Sequence, residues 1–342
     1  MKITARPLLI SLGYLCAAFL ISIVVGSVFI PPATLLDLIT SALRGESSPF
    51  DPNGSFSTIL FQLRLPRTVL LLLVGASLAG SGSAYQGLFR NPLADPFLIG
   101  VASGAGMGAV IAMTIQWPYT PLGLLAVPLA AFIGALLAVL VVSQLARVGK
   151  TIPTTNLILA GVSVSAFSSA VSSLLMINSS GELRRAIVWL MGGSTMTGWG
   201  PVLGVLPYAA IGLTALLLLG HPLNVLQFGD EQAQQLGVPV QKVRRIVIVA
   251  ATLVTAAAVA FAGVIGFVGL VVPHIVRILW GGDYRRLLPL SMICGAGLLL
   301  ITDVAARTII APQEIPVGII TALMGAPFFL WVLKRSKSQN YW

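Results

Sequence analysis

Phe228 to Arg245 reads FGDEQAQQLGVPVQKVRR, the most polar run in an otherwise apolar chain, and it divides the sequence in two. Asp230 and Glu231 fall where the first turn of a short helix belongs, because the positive end of a helix dipole favours carboxylates there. Gly237 supplies the left-handed residue that stops such a helix after about two turns. Pro239 is a good first helical residue, and Val240, Val243 and Val247 then recur at helical spacing, with Lys242, Arg244 and Arg245 giving a basic end. The stretch therefore predicts two short amphipathic helices joined by Gly237, Val238 and Pro239, lying at a membrane surface and presenting a knob to the water beyond. A solvated loop is the plainer reading, but the length and the paired start and stop signals favour a docking element.

Composition shows what flanks the knob. Of 342 residues, 57% are hydrophobic and only 9% charged, with a mean hydropathy of +0.97. Those values exclude a soluble globular domain. The formal charge of +10, from 20 basic and 10 acidic residues, would point to nucleic acid in a soluble chain. Here the basic residues sit mostly in short loops between apolar runs, so the charge reports topology and no nucleic-acid partner is expected.

Residues 1–30 begin with Lys2 and Arg6 and continue as about 23 mostly apolar residues, longer than the core of a cleavable leader, which predicts a retained first helix. A polar loop carrying Asp37, Arg44, Glu46 and Asp51 follows, and the chain re-enters the membrane near Arg67 for a second span ending near Phe89. Apolar runs of spanning length recur near 97–115, 122–146, 153–177, 201–220, 245–262, 264–280, 287–309 and 317–333, ten in all. The expected architecture is an all-α polytopic membrane protein, with residues 1–342 forming a single transmembrane domain. Its outer loops lie at about 31–63, 178–199 and 310–316, and its main inner loop at about 221–245.

An even number of spans puts both termini on one side. With the termini in the cytoplasm, inner loops collect Lys2, Arg6, Arg90, Arg147, Lys150, Lys242, Arg244, Arg245, Arg277, Arg285, Arg286, Lys334, Arg335 and Lys337, 14 of the 20 basic residues. The positive-inside rule supports that orientation and places the knob in the cytoplasm. Arg44, Arg64, Arg67, Arg184, Arg185 and Arg307 are left outside.

Gly100, Gly104 and Gly108 repeat every four residues, which on one helix face permits close helix approach, here read as packing within the chain. Asp303 and Arg307 stand at i, i+4 in the favoured order for an ion pair near the outer end of the ninth span. An internal repeat is also visible. Arg67 and Arg245 each open a span leading to a proline-containing break, at Asn91-Pro92 and Val272-Pro273. Later in each half an Ile-Pro pair, at 152–153 and 315–316, opens another span with a glycine at Gly161 or Gly325. The second and seventh spans would run oppositely, giving an inverted repeat, a common transporter plan. Cys16 and Cys294 lie inside apolar runs and His221 and His274 are far apart, so neither a disulfide framework nor a metal site is indicated.

Several stretches, in order, resemble one family. They are Arg64-Leu-Pro-Arg67, the run QGLFRNPLADP from Gln86 to Pro96, Leu159-Ala-Gly-Val162, Gly229-Asp-Glu-Gln-Ala233 with Leu236-Gly237, the run GVIGFVGLVVPH from Gly263 to His274, and Glu314-Ile-Pro-Val-Gly318. The chain is similar in these to permease subunits of bacterial ABC importers for ferric siderophores, haem and cobalamin. The resemblance implies a ten-helix permease of the type II ABC importer fold in the bacterial inner membrane, paired with a second copy or a paralogue. It also implies two cytoplasmic ATPase subunits and an extracytoplasmic binding protein.

Each implied partner maps to residues. Gly229, Asp230, Glu231, Gln232, Ala233, Leu236, Gly237, Val238 and Pro239 match the family's ATPase-coupling helices, in agreement with the knob read independently. Arg64, Arg67 and Arg307 match outward arginines that meet acidic residues of the binding protein. The fifth and tenth spans lie nearest the dimer axis in the family, so the hydroxyl-rich fifth span would line the path, with Thr154, Thr155, Asn156, Ser163 and Ser165 along it and the two threonines at its cytoplasmic exit.

For any single serine, a bond to its own helix backbone is the plainer reading. His274 is read as structural. No GxxxxGK[ST] run is present, so no catalytic residue or bound cofactor is expected here and ATP with magnesium belongs to the partner ATPase. A secondary transporter is the competing class, but it would place ionisable residues near the membrane midplane. A ferric siderophore is the expected cargo from the breadth of that branch, with cobalamin or haem as alternatives.

Overall fold

The computed structural model describes residues 5–45, 48–51, 53–115, 117–118, 120–149, 151–178, 181–193 and 197–337. The expectations for Lys2, Glu46 and Lys150 fall outside the described residues, as do those for the side chains of Arg335 and Lys337.

Every named element among the described residues is helical. Seven helices are long and apolar enough to cross a membrane: Arg6–Val24, Ser55–Phe89, Gly123–Leu145, Thr154–Ile177, Gly200–Leu218, Val240–Ala262 and Tyr284–Thr308. Three shorter apolar helices, Val101–Met113, Val268–Trp280 and Val317–Val332, stand where the third, eighth and tenth spans were expected. Apolar helices thus stand at all ten predicted positions in order, seven of them of spanning length, with two corrections at their ends.

The second helix begins at Ser55, twelve residues before Arg67, and passes through a π-helical turn at Ile59–Arg64. Its N-terminal part is held by a satellite core of Ile23, Ile30, Leu35, Leu38 and Leu60, in which helix Pro32–Arg44 also takes part. Between the seventh and eighth spans the chain breaks at Gly263–Phe267, while Pro273 lies inside the eighth helix.

The repeat is legible in the packing. The second span packs on the seventh; the second lies against the ninth as the seventh lies against the fourth; and the pairs third–fourth and third–fifth recur as eighth–ninth and eighth–tenth. The third and eighth helices are both 13 residues long and each follows a residue with positive φ, Gly100 and Phe267. Thirteen helical residues rise about 20 Å, short of a hydrocarbon core of about 30 Å. Non-helical backbone must therefore lie at membrane depth, which is tolerated only where protein covers it. The glycines of the repeat provide that cover: Gly161 of the fifth span packs on the Leu98 carbonyl ahead of the third, and Gly325 of the tenth packs on Phe267 ahead of the eighth.

Gly104 and Gly108 make the expected close approach within the chain, meeting the fourth span at Gly134 and Ala130. Gly100 does not share that face. It is the left-handed cap (φ 84°) between the 3₁₀ turn Pro96–Ile99 and the third helix, so its place in the four-residue repeat is fortuitous.

Candidate functional site

Polar side chains concentrate at the two ends of the bundle. At one end, helices Gly220–Leu226 and Asp230–Gln235 meet at Gly229 (φ 106°), and Gly237 (φ 82°) stops the second, as its sequence signal predicted. Asp230 and Glu231 occupy the first turn. The second short helix expected after Pro239 does not exist, because Val240, Val243 and Val247 are buried on the outset of the 23-residue seventh span. The pair of short helices instead precedes Gly237.

Ala233 is buried beneath the knob, while Phe228 and Leu236, at either end of Asp230–Gln235, are each 66% exposed. Glu231, Gln232, Gly237 and Pro239 are also exposed, and Val238 is half-buried. These two apolar side chains thus flank a short helix whose other exposed residues are polar.

The knob is tied to three spans. Arg90, which ends the second helix in the left-handed region, lies 3.7 Å from Asp230. Asn224 donates to Asp283 Oδ1 at 2.6 Å and accepts from the Tyr284 N–H at 2.8 Å, joining helix Gly220–Leu226 to the start of the ninth span. Burial pushes the Asp283 carboxyl up, but the Asn224 amide, the Arg285 N–H and the Arg285 and Arg286 charges outweigh it and hold it below its ordinary value. Arg244, buried, makes the third tie: Nη2 donates to Asp230 Oδ2 at 2.9 Å and Nη1 to the Ile152 carbonyl at 3.1 Å. Ile152 and Pro153 lead straight into the fifth span at Thr154. One guanidinium thereby joins Asp230 to the entrance of the fifth span.

At the other end, the three arginines read as outward-facing are not equivalent. Arg64 and Arg307 are each only 5% exposed. Arg64 donates to the carbonyls of Ile23 at 2.7 Å, Val24 at 3.2 Å and Val28 at 2.6 Å, at and just beyond the end of the first helix, where carbonyls lack intrahelical partners. Arg307 is paired through Nε with Asp303 Oδ2 at 2.8 Å and donates to the Ser22 carbonyl at 3.2 Å. Gly26 makes room for both, since a Cβ there would lie 2.6 Å from Arg64 Nη2 and 3.0 Å from Arg307 Nη1. The exposure expected of a docking arginine is corrected for these two: desolvated carbonyls and a buried aspartate hold their side chains.

Arg67 alone of the three is accessible, at 35%, and it bridges Asp303 and Glu314. These side chains line a cleft of about 570 Å³. The sequence reading assigned Glu314 no role, and no local periodicity links it to a residue 247 positions earlier.

Along the fifth helix, Thr155 and Ser163 lie on an exposed stripe with Leu159, Val162, Phe167, Leu174 and Ile177, while Thr154, Asn156 and Ser165 are half-buried. Ser163 bonds its own helix at the Leu159 carbonyl (3.0 Å), and Ser165 accepts from Ser103 of the third span (3.0 Å). The plainer packing reading thus describes Ser165, and Ser163 combines a backbone bond with exposure. His274 sits edge-on to Phe328 with ring centroids 6.1 Å apart, a packing contact between the eighth and tenth spans.

A family model described as the FecCD transport family matches residues 14–335. The chain belongs to the FecCD transport family. It is 48% identical over 276 residues to the cobalamin import system permease protein BtuC of Halobacterium salinarum, covering 81% of this chain and 73% of that protein. It is 42% identical over 295 residues to the hemin transport system permease protein HmuU of Yersinia pestis, covering 84% and 86%. Among solved structures, a metal-chelate type ABC transporter in an inward-facing conformation superposes with a TM-score of 0.82 at 32% identity, over 96% of this chain and 99% of that one. This FecCD chain is therefore a multi-span ABC importer permease with the type II importer fold, working with an ATPase and a binding protein, as the resemblance implied.

Proposed function

We propose that this chain is one of two permease subunits of an importer in a bacterial cytoplasmic membrane. It receives a metal chelate from a soluble binding protein outside and releases it inward as two ATPase subunits close on the knob at Gly229–Pro239, both termini lying in the cytoplasm. The observation that carries this reading is the knob itself. An exposed Phe228 and Leu236 would seat in an ATPase, and the Asp230–Arg244–Ile152 relay leads from that contact to the fifth span. The uncovered face of that span, with Thr155 and Ser163 among apolar side chains, supports placing a second permease and the path beside it. Small hydroxyls without charge suit a conduit that must release its cargo.

Cobalamin is the first cargo to test and haem the second, because the relatives compared above are named for cobalamin and hemin. Family breadth alone favoured a siderophore, which follows them. Of the docking arginines, Arg67 is the one whose exposure supports the assignment.

Arg244→Ala tests the relay. The ATPase should still co-purify, because its contact residues are untouched, but uptake should fall by roughly tenfold or more, the equivalent of one charged hydrogen bond. Undiminished uptake would remove the relay from the mechanism.

A further inference from the structure

Arg67 presents a planar guanidinium with two usable edges, and the chain itself occupies both. Nε and Nη2 lie 3.0 and 2.8 Å from Asp303 Oδ1, and Nη1 lies 2.7 Å from Glu314 Oε2. The two carboxylates differ in every other respect. Asp303 is fully buried and shared with Arg307, whereas Glu314 is 44% exposed and sits on the loop ahead of the tenth span. The cleft beside them carries Arg64, Arg67 and Arg307 against Asp303 and Glu314, three positive charges against two negative.

We propose that Glu314 is a built-in competitor for docking: it holds the Nη1 edge of Arg67 that an acidic side chain of the binding protein takes, and so sets docking affinity. This rests on the docking role given above to Arg67. Asp303 cannot be exchanged, because it is buried between two guanidiniums. Glu314 can, because an exposed ion pair of this kind changes a binding constant by no more than about fivefold. An incoming carboxylate backed by the rest of a protein interface outcompetes it. Displacement also frees Glu314 from the second span, and with it the loop that leads through Ile315 and Pro316 into the tenth.

The test measures binding of the cognate soluble binding protein to the intact permease–ATPase complex in lipid nanodiscs, at about 50 and about 500 mM salt. Glu314→Gln should tighten binding about two- to fivefold at low salt, with the gain shrinking at high salt. Glu314→Asp, shorter by one methylene, should fall between the two. Arg67→Gln should weaken binding. If Glu314→Gln binds no better than the unaltered protein while Arg67→Gln binds worse, Glu314 is not a competitor and the docking role of Arg67 stands. If neither variant changes binding, the docking role falls and the competitor with it.

Discussion

Replacing Asp303 with alanine should destabilise the purified protein by about 3–5 kcal/mol, the usual cost of removing one partner from a buried ion pair. Asp303 is fully buried on the ninth span and answers two guanidiniums, Arg307 at 2.8 Å on its own helix and Arg67 at 2.8 Å on the second span. Without it, Arg67 retains Glu314, but Arg307 keeps only the Ser22 carbonyl and hydroxyl and stays charged in a dry setting. Little of the side chain is open to water to make up the loss, since it is only 5% exposed and its guanidinium packs against Gly26 at the end of the first helix. Adding Arg307→Met to Asp303→Ala should therefore recover part of the loss, because an apolar side chain of similar length needs no partner. Thermal unfolding of the three forms in one detergent checks this. A double variant weaker than Asp303→Ala would show that Arg307 stabilises the bundle by itself.

Gly82→Ala should abolish the folded form altogether. A Cβ at Gly82 would overlap the backbone carbonyl of Gly269, and one at Gly269 would lie 2.8 Å from the Leu78 carbonyl, so the second and eighth spans touch backbone to backbone. A side-chain clash can relax at about 1–3 kcal/mol, but here neither backbone can yield without unravelling a helix. Gly13→Ala is the matched control: a Cβ there meets nothing within 4 Å. It should be neutral or gain up to about 1 kcal/mol from helix propensity. Size-exclusion profiles of the two variants after membrane extraction separate the outcomes, and a monodisperse Gly82→Ala peak at the normal position would contradict the contact.

What could be read from the sequence was what has a local cause. Helix starts and stops are set by a few neighbouring residues, so Asp230, Glu231 and Gly237 were placed correctly. Span number follows from hydropathy, and the repeat followed from Ile-Pro pairs and the glycines eight or nine residues after them, which the structure puts against equivalent breaks. Pro239 misled, because a favourable first helical residue says nothing of how long the helix becomes. The arginines misled for a different reason. Arg64 meets carbonyls 36 to 41 residues earlier and Arg67 a carboxylate 236 residues later, and no pattern in the chain announces either partner. A basic residue on the wrong side of a positive-inside count was evidence that something unusual holds it, but not of what.

Everything functional here turns on the knob at Phe228–Pro239 being where ATP hydrolysis enters the permease. The measurement that tests this most directly is cargo uptake into proteoliposomes holding this chain with its ATPase, supplied with the soluble binding protein and labelled cobalamin, haem or a ferric siderophore in turn. Accumulation of one cargo that requires ATP, and that is lost when Phe228 and Leu236 are both changed to Ser without loss of the folded permease, is the predicted result. Uptake that proceeds without the ATPase, or that survives the double change undiminished, would contradict it.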